Sequence, residues 1–130
     1  TRDESYAAAA RGTLEAFAGA YAPMGHFAAG YARVVDMLLN SPMVVNIVGG
    51  RDEASPLHEA AMALAAPSRI VQVLDPARDS ERLAALYLPA DPAPAAYVCV
   101  GTICSAPVTS PDALEKAVRE MRTIAEPRSA

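Results

Sequence analysis

Apolar positions return along this chain with two different rhythms. From Asp3 to Tyr21, the residues Tyr6, Ala10, Thr13, Leu14, Phe17 and Tyr21 recur at helical spacing. Asp3 and Glu4 stand near the positive end of that helix's dipole. The run "APMG" breaks the pattern. Phe27, Tyr31, Val34, Val35, Leu38 and Leu39 then carry a second helical stripe, which "NSP" ends. So short a link predicts an antiparallel helical hairpin over residues 1–40.

Beyond residue 40 the rhythm changes. "MVVNIVGG" is a short β-branched run closed by two glycines, which predicts a buried strand over 43–48. "ASPLHEAAMALAA" follows, with Ser55 placed as N-cap, Pro56 at the first helical position, and Leu57, Ala61, Leu64 and Ala65 on one face. "SRIVQVLD" predicts a second strand, over 69–74, and "SERLAALYL" a short helix over 80–88 capped by Asp79 or Ser80. After the Pro-rich connector "LPADPAPAA", the run "AAYVCVG" predicts a third strand. "SPDALEKAVREMRTI" predicts the last helix, with Ser110 as N-cap, Pro111 first, and Leu114, Ala117, Val118 and Met121 inward.

Strands alternating with helices imply parallel pairing and right-handed crossovers. The expected fold is α/β. A hairpin precedes a small three-stranded parallel sheet with helices on both faces, a Rossmann-like three-layer unit over 41–126 with the first strand central. Residues 127–130 are expected to fray.

Composition narrows the class. The chain has 130 residues, 52% of them apolar and 20% charged, with net charge −4. That suffices for one domain with a real core and is too apolar for a disordered chain. A nucleic-acid footprint would need a basic face, and Lys occurs once, at Lys116. No apolar run approaches the roughly 18 residues of a membrane span. No signal peptide is visible at the start. The chain begins with Thr, which reads as a processed or excised fragment. Two cysteines are too few for a disulfide scaffold, so a reducing cytoplasm is the expected compartment.

Three sets of residues are candidates for chemistry. Gly49 and Gly50 close the first strand, where open α/β sheets bind ligands, and Arg51 would meet an anion there beside the following helix start. The segment is "GGRDEASP", without G-x-G-x-x-G or a Walker lysine, so a tight turn accounts for the glycines equally. His26 and His58 lack ligand spacing and read as structural, so no metal or cofactor is expected. Cys99 and Cys104 form C-x4-C rather than the C-x-x-C of thiol oxidoreductases. Two small core residues, a reversible disulfide and half a metal site all stay open; the expectation is two reduced thiols, Cys99 buried and Cys104 at least partly so.

"AAYVCVGTICSAPVTSPDAL" resembles the C-terminal end of the thioredoxin domain-containing family that includes the spermatogenesis-associated thioredoxin-like protein. The pattern A-Y-V-C-x4-C-x-x-P-V-T-x-P-x-x-L falls on Ala96, Tyr97, Val98, Cys99, Cys104, Pro107, Val108, Thr109, Pro111 and Leu114. "VVNIVGGRDEASPL" and the preceding hairpin are similar to the segments that lead up to it. The resemblance implies a C-terminal piece of a larger protein, in which a thioredoxin-like domain precedes a helical toroid similar to N-acylglucosamine 2-epimerase. It implies a non-catalytic accessory domain acting through packing and association. A thiol-redox module and a weak nucleotide- or anion-binding domain are the alternatives. The hairpin would pack on the missing domains or, in their absence, on a second copy, with Phe17, Tyr21, Phe27 and Tyr31 at the homodimer interface.

Overall fold

The computed structural model describes residues 4–66, 68–91 and 93–125. The expectations for Asp3 and for the tail from 127 lie outside them. The chain divides into two compact units, Thr1–Ser41 and Pro42–Ala130.

The first unit is the expected pair of helices, α1 (Glu4–Phe17) and α2 (Ala29–Leu39). "APMG" does not form a plain loop. It opens a 3-10 segment, Ala22–Ala28, kinked at Gly25, whose φ of 54° suits glycine. Tyr31 ties the pair together: its hydroxyl donates to the Leu14 carbonyl at 2.9 Å, and its ring stacks on Tyr21 with centroids 5.3 Å apart.

The second unit is mixed α/β. Its strands are β1 (Met43–Val48), β2 (Arg69–Leu74), β3 (Ala95–Val100) and β4 (Ile103–Cys104), in the order β2-β1-β3-β4. Between them run α3 (Ser55–Ala63) and α4 (Ser80–Ala85), and α5 (Pro111–Ala125) follows β4. The β1–β2 pair is parallel, with Met43 opposite Arg69 and Val48 opposite Leu74. The β1–β3 pair is antiparallel, with Val48 opposite Ala95 and Met43 opposite Val100. The sheet is therefore not the three-stranded parallel one expected, although β1 does lie between β2 and β3.

The length of α4 explains the reversal. Its six residues span about 9 Å at 1.5 Å each. A six-residue strand spans about 20 Å. The helix by itself thus returns the chain less than half the length of a strand. It ends in a Schellman turn: the Leu88 N–H donates to the Leu83 carbonyl and the Tyr87 N–H to the Ala84 carbonyl. Tyr87 takes the left-handed position with φ 55°. The Pro-rich connector then crosses at the carboxyl end of β1, and β3 enters from there.

One sheet face carries Met43, Val45, Ile47, Ala96, Val98 and Val100, packed against Leu57 and Ala61 of α3 and Leu114, Ala117, Val118 and Met121 of α5. Each fully buried side chain there, Ile47 or Leu114 for example, contributes about 1.5–3 kcal/mol relative to exposure. The Ser110 hydroxyl caps α5 by accepting the Ala113 N–H at 3.3 Å. Ser55 does not act as the expected cap: it is the first residue of α3, and its hydroxyl bonds Glu59 at 3.0 Å. The opposite sheet face is covered in part by Leu83, Leu86 and Leu88 at and after α4.

Candidate functional site

The β3–β4 hairpin brings the two cysteines together. Val100 and Ile103 pair around a two-residue loop, Gly101–Thr102, with Gly101 at φ 58°. Cys99 is then directly opposite Cys104, beside the pair in which the Ser105 N–H donates to the Val98 carbonyl at 2.8 Å. Residues next to such a bonded pair come closest across a ladder. Here the Cα atoms are 4.0 Å apart and the sulfurs form a disulfide. The expectation of two reduced thiols is thus overturned, because Cys104 belongs to a strand rather than to a loop leading into α5. Cys99 is buried, as expected, but Cys104 is exposed. One residue more than the register requires separates Ser105 from Val108, which pairs with Ala96; Pro107, without an N–H, lies in this bulge.

The disulfide lies on the sheet face that α4 covers in part. Alternation places Val44, Asn46 and Val48 of β1 on it. Register sets Gln72 and Tyr97 on either side of Asn46. Asn46, only 3% exposed, is the one fully buried polar side chain among the described residues. Its Nδ2 donates to Cys99 Sγ at 3.5 Å. Its Oδ1 accepts from Gln72 Nε2. The Gln72 Oε1 in turn accepts from Arg82 Nη2 of α4 at 2.7 Å. Sequence reasoning passed over this row. The signal was present: Asn46 interrupts a β-branched run, and Gln72 interrupts the next one at the matching position. Beside them, burial raises the Tyr97 pKa above its ordinary 10.0, and the negative charge of Asp91 adds to the effect.

The candidate anion loop at Gly49, Gly50 and Arg51 is closely packed. Gly49 has φ 147°, and a Cβ there would meet Pro94 of the connector at 3.2 Å. The Glu53 carboxylate lies against Gly50. The Ala54 and Ser55 N–H groups donate to the Gly50 and Asp52 carbonyls, so they are not free for an anion. Arg51 is exposed. An open cleft of 570 Å³ lies between α3 and α5, lined by Ala60, Leu64, Val118, Arg119 and Arg122. Arg119 there pairs with Glu115 at 3.7 Å. Among the described residues no group of His, Cys, Asp or Glu is placed to hold a metal ion, and no helix is long and apolar enough to cross a membrane.

The hairpin candidates separate into two kinds. Phe17, Tyr21 and Phe27 are 54%, 46% and 76% exposed. Tyr31 is half-buried by its own bonds within the hairpin. No family model, curated protein or solved structure matches this chain.

Proposed function

We propose that this chain is an accessory module that works by association through its helical hairpin. The observation that carries the reading is that no described residue of the two helices or of the segment between them is buried. Phe17, Tyr21, Met24, Phe27, Val34 and Leu39 are exposed instead. Contiguous apolar surface beyond a few hundred Å² marks an interaction site. A two-fold homodimer is the simplest cover, because one patch then meets its own copy. The terminal pattern around the cysteines, similar to that of the thioredoxin domain-containing family, supports the same role as the C-terminal region of a larger protein.

Sedimentation of the chain at micromolar concentration tests this. A dimer mass is expected, and Phe27→Glu shifts it to monomer. Phe27 suits the purpose better than Tyr31, whose loss would open the hairpin itself. A monomer mass for the unmodified chain would overturn the homodimer and leave segments of a parent protein as the partner.

A further inference from the structure

The amide and guanidinium groups beside the disulfide point in one direction. Arg82 donates to Gln72, Gln72 to Asn46, and Asn46 to Cys99 Sγ. A positive charge thus stands at one end of a hydrogen-bonded chain and a sulfur at the other. Such chains polarise, so the last N–H becomes a better donor to developing negative charge. The chain ends on Cys99 and not on Cys104. A buried Asn in the middle of a sheet costs stability unless satisfied, and among the described residues every buried side-chain nitrogen and oxygen has a partner. Meanwhile Cys104, on the outer strand, is exposed. The two sulfurs therefore differ in access and in their fitness to carry charge.

We propose that Cys99–Cys104 is an exchange-active disulfide whose substrates are thiols. An external thiolate attacks Cys104 Sγ in line with the S–S bond. A new S–S bond forms between the incoming sulfur and Cys104, the Cys99–Cys104 bond breaks, and its electron pair leaves on Cys99. The Asn46 N–H holds the resulting Cys99 thiolate, and Gln72 and Arg82 act as positioning residues behind it. A better-stabilised leaving thiolate departs faster. A second external thiol, as thiolate, then attacks the incoming group's sulfur and expels the Cys104 thiolate, which takes up a proton. Two thiols become one disulfide, and two electrons pass to the protein. Oxidation of the reduced pair by a disulfide runs the same steps in reverse.

The test equilibrates the full chain in glutathione buffers of rising reduced-to-oxidised ratio, quenches with acid, alkylates and weighs the product. The two-thiol form should rise in a graded way while circular dichroism stays constant. In the Cys104→Ser chain, the Cys99 thiolate should titrate below the ordinary free-cysteine value of about 8.5, read by its ultraviolet absorbance. Arg82→Gln should raise that pKa and lower the reduced-over-oxidised ratio severalfold at fixed buffer. Asn46→Leu should lower the ratio about tenfold, the scale of a hydrogen bond to a charged group. Should Asn46→Leu fail to fold, the surface change Arg82→Gln decides. A pair that stays closed at every ratio until the chain unfolds would overturn the proposal and make the bridge a structural staple. So would graded opening that neither substitution shifts.

Discussion

Pro94 lies against Gly49, so close that a Cβ at position 49 would stand 3.2 Å from both the Cα and Cβ of the proline. The contact joins the end of β1 to the last connector residue before β3. Gly49 also has φ 147°, a region L side chains seldom enter. Gly49→Ala therefore meets both backbone strain and a backbone neighbour that must move. A loss of about 1–3 kcal/mol is expected, read as a lower urea midpoint with unchanged slope.

Tyr87 offers the opposite case. It holds the left-handed C′ position of α4 with φ 55°, where glycine is usual, and it is 92% exposed. Its ring buries little that substitution would lose. Tyr87→Gly should raise stability by roughly 0.5–1 kcal/mol, the relieved strain exceeding the added freedom of the unfolded chain. A lower melting temperature for the variant would refute this account of the turn.

Tyr97 sets an alkaline limit. Its pKa is raised in the folded state, first by burial and then by Asp91. Below pH 10 the residue is protonated folded and unfolded alike, and its contribution is fully present. Above pH 10 the unfolded chain sheds this proton while the folded chain keeps it. Stability then falls as pH rises toward the folded pKa, by up to about 1.4 kcal/mol per pH unit. Tyr97→Phe should remove that part of the slope. The check is urea unfolding at pH 9, 10 and 11 for both chains, with parallel curves counting against the assignment.

Much of the fold was legible because periodicity reports which side chains are buried. The runs at 43–48 and 69–74 are strands as read, and Leu114, Ala117, Val118 and Met121 face the core from α5. Strand direction was not legible, because β3 looks alike in either sense. What decides it is where α4 stops, and no glycine announces the turn at Tyr87. In "VCVGTIC" the hairpin is legible in Gly-Thr set between β-branched residues, and a two-residue loop there places the cysteines opposite each other. The row from Cys99 to Arg82 depends on the register of three strands and one helix, which a single sequence does not display.

The order β2-β1-β3-β4 leaves the sheet with two unlike edges. On one side β4 offers two residues and is followed by Pro107, which has no N–H to donate, so another strand finds no template there. On the other side, β2 has a strand neighbour on one flank only among the described residues and runs for six residues. Arg69 does little to guard it, since its guanidinium is turned back to the Met62 and Ala66 carbonyls. Ile70 beside it is partly open to water. Within the second unit, the longer unpaired row of backbone donors and acceptors is therefore that of β2.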